Sequence, residues 1–320
     1  LEQALNHFQK AIIHLSSEFN NSDFNSNPNL SDVLDKKTLL SVFDLKSYTL
    51  LKLSEKFENQ IYSEAAFQTT TLACNLLDTL KSGITSNADK QFLLELSYPI
   101  FERAIRIAFE KGDFHSAFYY SEKSKSVILY EAVKGSSLRA LGERQESLLE
   151  EEAQLKTKLA SLEKKLFKEK SGLKREEIIN QCLKDIGNIH SRLHDLAEII
   201  KMEIPEYAKI KYGQEIISVE EIQKDLNNNQ SLIVYFTGDS SVFLFLIQKN
   251  KFTVKRIENA ESLNQLRNDL MKGLYLSAVK SGDINYLNLY QKAAHSLYQK
   301  LIFPVKDFLT STKKITIIPD

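Results

Sequence analysis

"SLIVYFTGDSSVFLFLIQKNKFTVKRIE", residues 231–258, is the stretch on which the fold turns. β-Branched and aromatic residues fill three short runs, Ser231–Gly238, Ser241–Lys249 and Lys251–Glu258, with GDSS and KNK supplying turn chemistry between them. The runs predict three strands in an antiparallel meander. A helical Ser231–Ile257 would instead make the chain an all-helical adaptor.

Working toward the C-terminus, apolar periodicity predicts helices over Ala260–Ser277 and Ile284–Leu301 and a short one near Val305–Phe308. "KKITIIPD" (Lys313–Asp320) follows, and its Ile315, Thr316, Ile317 and Ile318 read as a buried strand. Strands first and helices afterward, closed by such a strand, describe an α/β domain that holds only part of its sheet. The expectation is that this last strand lies inside a larger parallel sheet.

Working toward the N-terminus, Ser218 and Glu221 form the pattern of a capping box for a helix of about 219–226, and Pro205 ends what precedes it. Over 136–204, Leu141, Leu148, Leu155 and Leu162 recur at every seventh position, with Leu159 and Leu166 between them. After Ser171 and Gly172 the apolar series resumes at Ile179, Cys182, Ile186, Ile189, Leu193, Leu196 and Ile200. Two such helices joined by a short Gly turn predict an antiparallel coiled-coil hairpin, with Leu155 and Ile186 on facing seams and Glu150–Glu152 on the solvated side.

The first 135 residues read as helices over about 1–18, 34–56, 59–81, 88–111 and 114–134. Leu1, Ala4, Leu5, Phe8, Ala11, Ile12 and Leu15 make one apolar stripe. Small residues seven apart return as Ala4 and Ala11, Ala66 and Ala73, and Ala117 and Ser124, and let neighbouring helices approach closely. Gly112 is placed to close a helix in the left-handed conformation. The Asn-, Ser- and Asp-rich segments Asn20–Asp32 and Lys81–Lys90 read as connecting loops.

This spacing of small residues resembles expanded, divergent tetratricopeptide repeats. In turn, the ordered run "PEYAKI", "SVEEIQKDL", "SLIVYFTGDSSVFLFLIQKN", "YQKAAHSLYQKLIFPVKDFL" and "KKITIIPD", over about Pro205–Asp320, resembles the opening of a CHAT domain, the caspase-like domain fused behind such repeats. The expected fold is therefore mainly α with a C-terminal α/β part: TPR-like repeats over 1–135, the coiled-coil hairpin over 136–204 and a truncated CHAT-like α/β part over 205–320. The resemblance implies a regulatory, partner-binding repeat region and the front of a cysteine peptidase whose His and Cys lie on later loops, so that these residues alone are inactive. An interaction scaffold with an inactive CHAT-like domain is the alternative.

Composition narrows the partners. Forty-two basic residues balance 42 acidic ones, which gives no global pull toward nucleic acid or an anionic membrane. No apolar run is long enough to span a bilayer, and no cofactor motif is present. A protein or peptide in the repeat groove is the expected partner, with Phe118, Tyr119 and Tyr120 as aromatics that can line it. The two cysteines, Cys74 and Cys182, sit in apolar helical stretches and read as buried thiols, in keeping with a reducing, cytoplasmic setting. Because the sequence starts at Leu1 inside a helix, the N-terminus reads as cut and a signal peptide upstream stays open.

Candidate catalytic and metal-binding groups each have a plainer reading. His190 and His194 are four apart on a helix but have no third ligand, so they read as a solvated pair. His115 and His295 read as structural or surface residues, and His7 and His14 share a polar face. Gly238–Ser241 lacks the spacing and the Lys of a phosphate loop and reads as a hairpin turn. No catalytic, cofactor-binding or metal-binding residue is assigned.

Overall fold

The structure, a computed structural model, describes residues 1–33, 35–81, 87–137, 143–171, 175–205, 208, 216–279 and 284–320. It is mainly α-helical with a C-terminal α/β part. Two compact units are present, Leu1–Glu110 with Tyr120–Ile216 and Lys111–Tyr119 with Ile217–Asp320. None of the described helices is long and apolar enough to cross a membrane.

The first unit contains α1 (Glu2–His14), α2 (Lys36–Phe57), α3 (Gln60–Lys81), α4 (Asn87–Glu110) and most of α5 (Phe114–Ser137). α2 packs on α1, α3 and α4, and α3 also packs on α4. Leu5, Leu50, Leu51, Leu53, Ala65, Ala66 and Ile107 form a shared core. Ala66 and Ala73 are fully buried, as expected of small residues where helices approach closely. Gly112 takes φ 76°, the left-handed conformation anticipated after α4.

Helix α1 is shorter than its periodicity predicts. It stops at His14 because Ser16 leaves the helix to bridge Val33, with its hydroxyl turned back to the Ile12 carbonyl (2.9 Å). Its buried stripe also differs: Leu1 is exposed, whereas Gln9 is buried beside Leu5 and Ile12.

The heptad segment forms α6 (Glu143–Ser171) and α7 (Glu176–Glu203). Ion pairs fix them antiparallel: Arg144 with Glu203 (2.8 Å) near the base, Arg192 with Glu151 (2.7 Å) midway, and Arg175 with Glu169 at the tip. Leu196, Ile200, Ile204 and Ala208 make a core against Leu148, Leu149 and Leu155. Glu152 departs from the expected solvated face. It is buried, and the Lys156 ammonium one turn on lies 2.7 Å away and compensates its charge. Leu141, the Gly172 turn, the centre of the Lys81–Lys90 loop and most of the join after Pro205 lie outside the described residues.

In the second unit, α8 (Val219–Asp225) starts with the predicted capping box. The Ser218 hydroxyl accepts from Glu221 N (3.2 Å) and the Glu221 carboxylate accepts from Ser218 N (2.8 Å). The three predicted strands form β1 (Gln230–Thr237), β2 (Ser241–Gln248) and β3 (Lys251–Glu258), joined as an antiparallel meander. β4 (Lys314–Ile318) adds parallel to β1, placing Ile317 beside Ile233 in the order β3-β2-β1-β4.

Alternation sorts the strands onto two faces. Ile233, Tyr235, Val242, Leu244, Leu246 and Ile257 point to a core completed by Ala260, Leu263, Leu301 and Val305, from α9 (Ala260–Val279), α10 (Ile284–Leu301) and the 3-10 turn Phe303–Phe308. On the other face Phe245 meets Phe118 at 5.5 Å and stacks with Phe252 at 6.5 Å. The buried position in the middle of α10 is Ala293.

β4 is the departure that matters. A parallel strand is ordinarily covered on both faces, yet every residue of β4 is exposed, with Ile315 at 44% and Ile317 at 50%. It lies at the sheet edge. Asp320 just beyond it accepts a hydrogen bond from Thr237 N (2.7 Å).

α9 and α10 cross closely at Gly273, where a Cβ would stand 2.6 Å from the Tyr290 backbone nitrogen. Exposed Gly→Ala changes in helices stabilise by up to about 1 kcal/mol. Gly273→Ala is expected to do the reverse, costing about 1–3 kcal/mol through overpacking and lowering the thermal midpoint; a raised midpoint would refute the close crossing.

Candidate functional site

The Asn-rich segment predicted as a plain connection is a built loop. Its ends meet where Ser16 pairs with Val33 and Ser17 N donates to Asp32 O (3.0 Å), so the chain between them is a compact Ω-loop. The side chains that favour turns organise it. Asn21 Oδ1 accepts from Asp23 N, the Asp23 carboxylate accepts from Asn25 N, and Asn21 Nδ2 donates to Ser26 Oγ, each at 2.9 Å. Phe24 stacks on Tyr62 of α3 with centroids 5.3 Å apart, and Pro28 is buried.

Two polar side chains from the helices below fill the loop. Gln9 Nε2 donates to Asn21 O (2.7 Å) and Ser26 O (3.1 Å). Lys46 Nζ donates to Gln9 Oε1 (2.9 Å), Asn27 Oδ1 (2.9 Å) and Ser26 O (3.2 Å). Lys46 is completely buried. Three acceptors match the three N–H bonds of an ammonium, and all are neutral. Burial therefore brings its pKa down to about 7, opposed by the Asp23 carboxylate.

Two other buried cations among the described residues of this unit are compensated differently. Arg103 of α4 pairs with Asp44 (2.9 Å) and donates to Ser47 Oγ (2.9 Å) on α2. Lys123 of α5 pairs with Asp78 of α3 (2.7 Å). Lys46 thus differs in resting on amide and carbonyl oxygens.

Above this network the loop forms one wall of an open cleft of about 490 Å³, lined by Asn25, Asn27, Glu64, Phe67, Gln68, Thr71 and Leu72. The α3 residues recur at helical spacing, a second stripe beside the buried one at Ala65, Ala66, Thr69, Thr70 and Ala73. Asn27 Nδ2 donates to Thr69 Oγ1 (3.3 Å), holding the wall on α3. Behind the cleft the Tyr120 ring meets Phe67 edge-on at 6.3 Å and its hydroxyl lies 3.0 Å from Thr71 Oγ1. The cleft presents an apolar floor, amide and hydroxyl groups able to bond a peptide backbone, and one carboxylate, Glu64.

Of the three aromatics nominated for a groove, only Tyr120 reaches this place. Phe118 is buried against the sheet of the second unit, and Tyr119 is substantially exposed. The cleft residues themselves were missed, although the polar and aromatic stripe at Glu64, Phe67, Gln68, Thr71 and Leu72 is a signal present in the sequence.

The nominated chemical groups do not converge. Cys74 is fully buried, and burial pushes its thiol up to about 12, leaving negligible thiolate at neutral pH. Cys182 is buried in the hairpin seam. His190 and His194 are exposed on α7, and His7 and His14 are exposed on α1. His115 lies 3.1 Å from a Glu220 carboxylate oxygen with its ring 5.2 Å from Phe252, and His295 is exposed beside Gln299. Gly238–Ser241 is the predicted hairpin turn, with Gly238 N donating to Ser241 O (2.8 Å). Among the described residues no three His, Cys, Asp or Glu side chains gather as a metal site. No protein-family profile, curated protein or solved structure matches this chain.

The depressed pKa of Lys46 has a signed consequence. Between about 7 and 10.5 the unfolded chain binds this proton and the folded chain does not, so the contribution of Lys46 to stability rises with pH across that window. Urea melts of wild type and Lys46→Met at pH 7 and pH 9.5 are expected to diverge in favour of wild type by about 1 kcal/mol or more at the higher pH. An unchanged difference would show that Lys46 titrates like an exposed lysine.

Proposed function

We propose that this chain is the partner-binding region and the sheet-forming front of a CHAT-type cysteine peptidase, in which the helical unit captures a protein segment and a caspase-like sheet carries the chemistry. The observation that carries the sheet reading is β4, parallel to β1 yet exposed at every residue at the sheet edge. Further parallel strands and their helices would cover Ile315, Ile317 and Ile318, whose exposure is otherwise unfavourable by about 25 cal/mol per Å². The order of helical layer, antiparallel hairpin, three-strand meander and parallel strand follows the order that the sequence resemblance implies.

The segment held by the helical unit is a peptide with an apolar side chain flanked by a cation. Phe67 and Leu72 offer the apolar floor, and Glu64 is the one charged side chain lining the cleft. The amides of Asn25 and Gln68 and the hydroxyl of Thr71 suit main-chain hydrogen bonds.

A second reading is a scaffold whose CHAT-like part serves only for interaction; the burial of both cysteines and the high pKa of Cys74 are common to the two readings. The two readings part on the reading frame beyond Asp320. Strand-end loops bearing a His-Gly pair and a Cys are expected for the peptidase, and their absence leaves the scaffold.

Fluorescence anisotropy with labelled hexapeptides built from Lys, Arg, Leu and Phe, set against acidic counterparts, tests the capture role. The basic set is expected to bind saturably and to weaken at least about tenfold in Glu64→Lys, the loss of one charge-assisted contact plus repulsion. Equal binding of acidic peptides, or no effect of Glu64→Lys, would overturn it. Residues 1–320 are also expected to show no thiol-dependent peptide cleavage; turnover abolished by Cys74→Ser or Cys182→Ser would reverse both readings.

A further inference from the structure

We infer that residues 17–32 form a releasable strap, latched by the Lys46 side chain, whose seating on α3 builds the Asn25 and Asn27 wall of the cleft. The inference rests on the cleft reading only for its functional consequence, that a partner and a closed strap stabilise each other. The latch itself stands on the geometry of the loop.

Three features mark this segment as releasable. Its two ends are already joined at the neck by the Ser16 and Val33 pair, so the strap can lift without disturbing α1 or α2. Its hold is chiefly polar: Gln9 and Lys46 bind the carbonyls of Asn21 and Ser26 and the amide of Asn27, while Phe24 and Pro28 supply the apolar contact. Lifting the strap rehydrates an ammonium whose hydrogen-bond acceptors are all neutral, with the Asp23 carboxylate acting on it only through space, and this offsets part of the hydrogen bonding given up. Arg103 and Lys123 gain no such relief, because each already has a carboxylate beside it.

The wall follows from the same contacts. Asn27 is bonded on one side to Lys46 and on the other to Thr69 of α3, so the latch and the cleft share one side chain. With the strap lifted, Asn25 and Asn27 leave the cleft, and Thr69, now fully buried, is uncovered. A peptide that bonds Asn25 or Asn27 therefore favours the latched state, and the latch in turn raises affinity for that peptide by the same factor.

Thiol labelling of the full chain tests this, because Cys74 and Cys182 are both buried and give a low background. A Thr69→Cys variant is expected to react slowly with a maleimide, and Thr69→Cys with Lys46→Met at least about tenfold faster, after subtracting the rate of Lys46→Met alone. Hydrogen exchange should show the amides of 21–29 losing protection while those of α2 and α3 keep theirs. Should Lys46→Met lose its helical circular dichroism, Asn27→Leu, which removes only the strap-side partner, carries the same comparison with at least about threefold faster labelling. Rates unchanged within twofold in the folded variant overturn the latch, whatever the peptides do. Faster labelling together with unaltered hexapeptide binding leaves the latch standing and overturns its link to the cleft.

Discussion

Buried positive charge between helices is the constraint around which the helical unit is arranged. A cation removed from water must be met by acceptors in good geometry, and each one here draws two helices, or a helix and a loop, into a fixed relation. Arg103 ties α4 to α2 through Asp44 and Ser47, and Lys123 ties α5 to α3 through Asp78. Lys46 ties α2 to α1 through Gln9 and to the Ω-loop through Ser26 and Asn27. Apolar burial at Leu50, Leu53, Ala66 and Ile107 supplies the driving force for packing, while the cations select which faces meet.

The same arrangement gives the cleft its shape. α3 has one face committed to the core through Ala65, Ala66, Thr70 and Ala73, and the neighbouring face would be an ordinary surface stripe without the loop beside it. Seating the Asn-rich segment against α3 converts that stripe into a concavity whose polar wall comes from a distant part of the sequence. The wall's position depends on a lysine at the bottom of the loop, because Asn27 bonds both Lys46 and Thr69.

The second unit presents a contrasting situation. Its central strands β1 and β2 are largely buried, with Ile233, Leu244 and Leu246 on one side and Phe245 with Phe118 on the other. Cross-links at the start of β1, where Gln248 Nε2 donates to Ser231 Oγ (2.9 Å) and Phe308 O (2.9 Å), fix the register that β4 must follow. β4 is thus held along one edge by β1 and exposed at every residue, in contrast to the buried strands beside it.

Much of the fold was legible in the sequence because local chemistry carries it. The alternation in Ser231–Glu258 marked three strands, the Ser218 and Glu221 pair marked a helix start, Gly112 marked a helix end, and the heptads marked an antiparallel hairpin, each resting on residues close together in the chain. What the sequence left open depends on which distant groups meet. Nothing local to Lys46 distinguishes it from a surface lysine, and its burial follows only once Gln9, Ser26 and Asn27 converge on it. Glu152 is buried for a similar reason, and the exposure of β4 could not be read from an apolar run that looks the same whether covered or bare. The sequence by itself determined the elements, their order and the strand alternation, since periodicity and capping are short-range. Tertiary structure alone decided which charges are buried, where the Ω-loop seats and which strand stands at the edge, since desolvation and coverage are properties of neighbours in space.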